Sequence, residues 1–473
     1  MELGYLFTTI LKMAALIAWI YGLLWGLARK PLWQKALTIL LAFGIIQFAF
    51  LLQLGDTAVF SVFDQGLLYQ AVTMTMVALG LNLIYGFNGQ FSLAQWGFYG
   101  IGAYVAADVT YRWTNGDASG LFVAGIGVIL GALALIGVGR LLRMRRGVPV
   151  LSAFTFYVIA IVIVGIVAVV AGGALARAVA PGFGAHGTGF LASPAAVQIV
   201  FVLAVIIAGA FAAEISFLFG LPVLTLGSDY FGIATLGFAI VVQTLMVNSD
   251  TILPFPEMKG GRGMIGIPKL TSWIAAFAFL VVVIVIVRNF VRSSTGRATM
   301  SVREDETAAK AMGINVAGSK LMAFVLGSFI AGIGGGVYAH YIGFLSPATF
   351  SFIAGFNPLI IVVFGGLGSM TGSIAASFVW IFFLEGFLRV LLAQMGTEAP
   401  TWRFVLYPIT LLLLMLIRPS GLLGSVEWGF LKPDRILRRI TGGGTAAPAA
   451  PGAPAAPRAP APPGAPAAQK GQA

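Results

Sequence analysis

Apolar runs of about 20 residues recur from one end of this 473-residue chain to the other, each long enough to cross the hydrocarbon core of a bilayer. A soluble domain carries roughly 25% charged residues, whereas here Asp, Glu, Lys and Arg together make up 9%. In lipid every backbone N–H and C=O needs an internal partner, which leaves helices or a closed barrel. Runs of this length fit helices. The predicted fold is therefore all-α: a polytopic transmembrane helical bundle of about 11–13 spans, with broken or re-entrant segments. Candidate spans are 5–27, 32–52, 66–86, 91–110, 121–139, 152–174, 196–218, 231–247, 272–290, 321–343, 352–366, 373–392 and 403–417. Met1 to Ile10 lacks a basic leader and no small-residue cleavage site follows, so the first run is expected to be a retained span.

Several chemistries drop out at once. There is no cysteine, which excludes disulfides and thiolate sites, and the only histidines are His186 and His340, too few for a histidine metal site. The net charge of +12 needs no nucleic acid to explain it, because excess Lys and Arg orient membrane proteins toward the cytoplasm. With the N-terminus outside and strict alternation, 20 of the 28 lysines and arginines fall on one side, which predicts a cytoplasmic C-terminus. Residues 431–473, rich in Ala, Pro and Gly beyond about 441, are expected to form a disordered cytoplasmic tail, with Arg435, Arg438 and Arg439 against anionic membrane lipid. Small residues at four-residue spacing, such as Gly22 with Gly26 and Gly332 with Gly336, read as helix-packing positions.

Three segments are not ordinary spans. In Asn82 to Gln95, two apolar stretches meet at a break holding Asn88, Gln90, Ser92 and Gln95. Irregular backbone at membrane depth survives only where protein or water covers it, so a broken helix lining a pathway competes with a tight surface turn. Gly227 to Phe238 repeats the pattern: Asp229 is either a helix cap or a pathway residue, and the segment runs on to Gln243 and Asn248. Ser294 to Asn315 is the long polar stretch on the basic side. Arg303 to Met312 reads as one short helix, acidic at its start with Glu304, Asp305 and Glu306, and stopped by Gly313. Its small patch of Ala308, Ala309 and Met312 suggests a docking partner, against the alternative of a solvated loop helix. The run Gly313 to Lys320 imitates a phosphate-binding loop, but Ser and Lys stand in the wrong order and no strand precedes it.

Ion-coupled transporters place ionisable relays inside the bilayer. Here Glu214, Glu385 and Arg389 fall toward predicted span ends, and the remaining polar groups within spans are neutral, among them Asn82, Gln243 and Asn357. Energy is thus expected from a separate subunit; a passive channel also fits but leaves the cytoplasmic helix unexplained. No convergent carboxylate, Ser/His or metal set suggests an enzyme, and no cofactor is expected.

The blocks ALGLNLIYGFNGQFSLAQWGFYGIGAY, GSDYFGIATLGF, GGRGMIGIP, REDETAAKAMGIN, SKLMAFVLGSFIAGIGGGVYAHYIGFLSPATF, VVFGGLGSMTGS and IRPSGLLG run in order from about Val77 to Gly424. Together they resemble the LivM-type permeases of branched-chain amino acid ABC transporters. The resemblance implies an ABC permease transmembrane domain over 61–430, preceded by an N-terminal transmembrane extension over 1–60. It also implies a pathway shared with a homologous second permease, and a periplasmic solute-binding protein outside. Two cytoplasmic ATP-binding subunits would use ATP and dock on a coupling helix at about 301–313, carried over as Arg303, Glu304, Asp305, Glu306, Ala309 and Gly313. Asn88, Gln90, Ser92, Asp229, Gln243 and Asn357 are the expected pathway residues in an inner-membrane importer of branched-chain amino acids or related small polar solutes. Two departures stand out: Gln95 occupies a position where the family often has His, and an extra helix pair is expected within 120–196. The second leaves urea or short amides as alternative solutes, and a stand-alone facilitator as an alternative class.

Overall fold

The computed structural model describes residues 2–28, 31–51, 53–54, 57–58, 60–144, 150–183, 189–224, 228–252 and 258–389, then 421–424 and 426–432, with scattered positions between 392 and 417. The predicted span at 403–417 and the tail lie largely or wholly outside the described residues.

The long helices are α1 (Glu2–Leu27), α2 (Leu32–Leu51), α3 (Val62–Asn82), α4 (Gln95–Thr114), α5 (Ser119–Met144), α6 (Val150–Val179), α7 (Pro194–Val223) and α8 (Ser228–Val247). A single turn, α9 (Ser249–Ile252), leads to α10 (Trp273–Arg292), the short α11 (Ser294–Glu304) and α12 (Glu306–Ala311), then α13 (Val316–Ile342), α14 (Phe356–Gly365) and α15 (Met370–Trp380). Ten of the described helical stretches are long and apolar enough to cross a membrane, so the chain is a polytopic helical bundle. The predicted span 91–110 is present as α4, too polar to stand among those ten, and 352–366 shortens to the ten residues of α14.

Helices α3, α4, α7 and α13 form the centre of the bundle. They approach closely because their crossing points are glycine. A Cβ on Gly80 of α3 would lie 2.5 Å from the Gly327 carbonyl of α13, and one on Gly327 would lie 2.5 Å from the Gly80 carbonyl. With no hydrophobic force between helices in lipid, such backbone-to-backbone contact supplies the packing energy. His340 of α13 is a core residue, its ring nitrogens 2.7 Å from Thr110 Oγ1 and 2.7 Å from the Gly336 carbonyl.

The first two helices lean on this centre through aromatic contacts: Trp19 meets Trp273 and Phe277 of α10, and its indole donates to the Ala42 carbonyl at 2.8 Å. Gly26 is used where α1 meets α2, since a Cβ there would collide with Thr38, while Gly22 faces open space. Helices α5 and α6 pack on each other and on α4 and α7, leaving their other faces apolar and exposed, as lipid requires.

Glu214 departs from the sequence expectation. Helix α7 runs 30 residues and continues past Pro222, so Glu214 lies well inside it. It faces Gly131 near the middle of α5, where a Cβ would come 2.7 Å from its carboxylate, and its Oε1 is buried without a hydrogen-bond partner.

Candidate functional site

The bundle's polar structure gathers at one end, where α1 finishes, α10 finishes and α11–α12 sit. The break after Asn82 is built by a π-helical turn, Leu83–Phe87, that widens the end of α3 and frees its last carbonyls. Gln90 N donates to Ile84 O at 3.0 Å, and Gly89 reverses the chain at φ +77°. The strand of backbone that follows is covered by protein: Leu93 N donates to Thr235 Oγ1 of α8 at 3.0 Å, and Trp96 Nε1 to Thr349 O at 3.0 Å. Most of the irregular backbone is therefore under cover, with Gly89 and Phe91 exposed.

Of the expected pathway residues, Asn88, Gln90 and Ser92 share this break. Asn88 is 2% exposed and donates to Gln90 Oε1 at 2.6 Å, while Ser92 is fully buried and accepts from Ala94 N at 3.3 Å. Gln243 is half-buried on α8 and Asn357 half-buried at the head of α14; among the described residues no hydrogen bond joins either to the Asn88–Gln90 pair. The side chain of Asp229 lies outside the described residues. Gln95, the first residue of α4, is 2% exposed, and neither atom of its amide has a partner. The Asn88 carbonyl oxygen is likewise buried and unpartnered. Buried polar groups are nearly always paired, so these three atoms mark the break as a place where the fold keeps unused hydrogen-bonding capacity.

Asn82 is a structural pin. Fully buried, it donates to Ser369 O at 2.8 Å and Ser373 Oγ at 2.9 Å, and accepts from Gly368 N at 2.9 Å. One side chain thus closes the turn between α14 and α15 against the end of α3.

The polar stretch after α10 is two helices where the sequence predicts one. Asp305 takes extended backbone (φ −158°), and its carboxylate caps α12 by accepting from Thr307 N at 2.8 Å and Ala308 N at 3.0 Å. A short acidic side chain that bonds the backbone ahead of it starts a helix instead of continuing one. Gly313 (φ +82°) ends α12 with Gly313 N bonded to Lys310 O and Ile314 N to Ala309 O, a Schellman closure. Glu304, Asp305 and Glu306 are exposed, Glu306 pairs with Lys320, and Met312 is 83% exposed. Ala309 turns inward and is buried, so of the patch predicted from the sequence only Ala308 and Met312 are exposed.

Arg303, in the last turn of α11, is exposed overall but turns its guanidinium toward the break. Its guanidinium donates to the Gly86 carbonyl in the break, and its stem passes Gly89, where a Cβ would lie 3.2 Å away. Gly368, at φ +80°, borders the guanidinium from the other side.

A strap over residues 421–424 and 426–432, of which the sequence singled out only 421–424 as the end of the IRPSGLLG block, closes the same end. Leu422 N donates to Phe364 O at 2.7 Å. Glu427 caps the start of α15, accepting from Met370 N at 2.6 Å, Thr371 N at 3.0 Å and the Thr371 hydroxyl. Burial pushes its carboxyl up to about 7, against the opposing pull of hydrogen bonds from Thr371, Met370 and Ser369. Farther along, Arg288 lies 3.8 Å over the Phe430 ring and donates to its carbonyl at 2.8 Å, while Arg292 donates to Lys432 O. Nothing in the SVEWGFLKP sequence signals this role, because its partners lie on α1, α10 and α15.

Among the described residues no group of three or more His, Asp or Glu side chains could hold a metal ion. The site can position a neutral, polar, partly unwound segment beneath a protruding helical knob.

Comparison with known proteins gives a consistent result. The family described as branched-chain amino acid transport system / permease component matches residues 65–174 and 128–416. The chain is 30% identical over 252 residues to the high-affinity branched-chain amino acid transport system permease protein LivM of Escherichia coli (strain K12), covering 46% of this chain and 56% of that protein. It is 25% identical over 240 residues to the LivH permease protein of the same organism, covering 48% and 74%. A probable LivM of Methanocaldococcus jannaschii matches at 26% over 241 residues, covering 47% and 68%. The chain thus spans 56% of the length of the first of these relatives. No solved structure matches.

Proposed function

Because the chain belongs to the family of branched-chain amino acid transport permease components, we propose that it is the membrane-spanning subunit of an ATP-driven importer for branched-chain amino acids or related small polar solutes. The observation that carries the reading is the α11–α12 knob. It is a polar, doubly capped pair of helices between two apolar spans, with its acidic residues and Met312 presented outward. A rigid projection with an exposed apolar tip serves a docking partner. In this reading two separate ATP-binding subunits seat on Glu304, Asp305, Glu306 and Met312, with Ala309 and Gly313 setting the shape of the knob. Hydrolysis belongs to those subunits, and this chain performs none.

The knob, the strap and Arg288, Arg292 and Arg297 share one end, which the positive-inside rule assigns to the cytoplasm, together with the C-terminus. A homologous second permease would complete the pathway along Asn88, Gln90, Ser92, Gln243 and Asn357, and a periplasmic binding protein would deliver solute from the far side. The unpartnered carbonyl oxygen of Asn88 and amide of Gln95 favour a solute that both donates and accepts hydrogen bonds.

Purification of the tagged chain from mild detergent tests the proposal. Recovery of two ATPases and a second permease, with ATP-dependent uptake of leucine after reconstitution, is the expected result. A chain recovered alone that conducts solute in liposomes without ATP would overturn it in favour of a facilitator.

A further inference from the structure

Arg303 joins the knob to the helix break through a carbonyl that α3 itself leaves unpaired. The π-helical turn ends α3 at Phe87, so Gly86 O has no later amide in its own helix to accept from. A guanidinium placed there makes a charge-assisted hydrogen bond at the negative end of the helix, the favourable position for a cation. The notch that admits it is walled by two glycines, both at positive φ. A Cβ on Gly89 would come 3.2 Å from the Arg303 stem, and one on Gly368 would come 2.8 Å from its Nη1. Gly368 is also the residue whose amide Asn82 holds at 2.9 Å. One side chain of the knob therefore touches the end of α3, the reversal that leads into Asn88 and Gln90, and the α14–α15 turn.

We propose that Arg303 is a positioning residue, the link by which force on the α11–α12 knob sets the conformation of the Asn88–Gln95 break, and not itself a contact for the docked subunit. The proposal rests on the importer reading for its direction of force, but the link can be measured apart from it. Movement of the knob by a bound subunit draws the guanidinium from Gly86 O and releases the break. Asn88 and Gln95 then gain freedom to pair with solute. Lysine keeps the charge at this position but offers a single point donor without the planar fork. Methionine keeps the stem that packs on Gly89 and removes the donor.

The test compares Arg303→Met and Arg303→Lys with the parent chain, purified with its subunits and reconstituted. In Arg303→Met the ATPases should co-purify at the parental ratio and go on hydrolysing ATP, while uptake falls about tenfold, within the roughly 5–150-fold span of measured site-to-site coupling. Arg303→Lys should fall between the two. Amide hydrogen exchange at Gly89 and Gln90 should quicken in Arg303→Met, a local effect that a mere loss of docking does not produce. Parental uptake in Arg303→Met would overturn the link, and so would loss of the ATPases together with uptake, since that outcome makes Arg303 a docking contact. If the parent chain recruits no ATPase, the importer reading fails instead. The exchange measurement then decides alone: unchanged exchange at Gly89 and Gln90 refutes the link, and faster exchange upholds it.

Discussion

Asn82 and Gly368, 286 residues apart, share a hydrogen bond of 2.9 Å in which the glycine amide donates to the asparagine carboxamide. The same side chain donates to Ser369 O and Ser373 Oγ, so it pairs a buried turn with a helix end. Asn82→Ala leaves the part-buried Gly368 amide unpaired, while Ser369 O keeps its bonds from Ser373 N and Oγ. One buried donor left unpaired costs roughly 1–3 kcal/mol, so a loss of about that size is expected. Unfolding in detergent monitored by circular dichroism measures it. An unchanged midpoint would mean that water reaches the turn.

Gln95 should behave in the opposite sense. Its amide is buried with neither atom partnered, so Gln95→Met removes a desolvated polar group at similar volume. Stability should rise by about 1–3 kcal/mol, while solute uptake declines. A variant that loses both would assign Gln95 to packing.

Close approach of α3 and α13 sets a third expectation. In Gly327→Val the new side chain meets the Gly80 carbonyl, a backbone atom with no rotamer to move away. Overpacking of this kind costs about 1–3 kcal/mol. Size-exclusion profiles and thermal midpoints should both deteriorate, and Gly22→Val, facing open space, supplies the contrasting control.

The Glu427 clamp is sensitive to pH. Its folded-state value of about 7 lies above the ordinary 4.5, so the folded chain holds a proton that the unfolded chain releases between those values. The stabilisation is complete below the ordinary value and is lost as pH rises to about 7. Melting midpoints of the parent should therefore drop between about pH 5 and about pH 8 by more than those of Glu427→Gln, in which this titration is absent. Parallel pH profiles for the two would count against it.

At the knob, Gly313→Arg places a side chain on a backbone at φ +82° with open space around it. The left-handed strain is about 1 kcal/mol, too little to unfold the bundle. Glu306→Arg removes the partner of Lys320 on an exposed surface, which is cheaper still. Both variants should insert and fold but lose ATPase recovery in pull-downs. Intact recovery with both would exclude this face as the docking surface.

Much of this architecture was legible in the residues. Apolar run lengths marked the helices because lipid leaves few alternatives for a spanning backbone. The Gly- and amide-rich stretch from Tyr85 to Gln90 announced a break because no apolar helix needs so many hydrogen-bonding side chains at once. The interruption of the knob at Asp305 was hidden, since an acidic residue favours the first turn of a helix and its cap alike. The bond from Arg303 to Gly86 O was hidden as well, because the notch that Gly89 and Gly368 open for its guanidinium forms only when distant segments meet. Asn82 resembled one more polar group in a pathway, and Glu427 belonged to no sequence pattern. Their partners lie 286 and 57 residues away, beyond the reach of any local pattern.

The position of the strap in the chain imposes an order on assembly. Residues 427–432 follow every described apolar helix, yet Trp428 and Gly429 meet Tyr21 and Leu24 near the start, Phe430 and Lys432 meet Arg288 and Arg292 midway, and Glu427 meets Met370 later. Synthesis delivers segments from the N-terminus onward. Until Glu427 is synthesised, Met370 N and Thr371 N therefore lack its carboxylate, and Ser369 alone caps α15. A nascent chain stalled short of Glu427 is a bundle without its clasp.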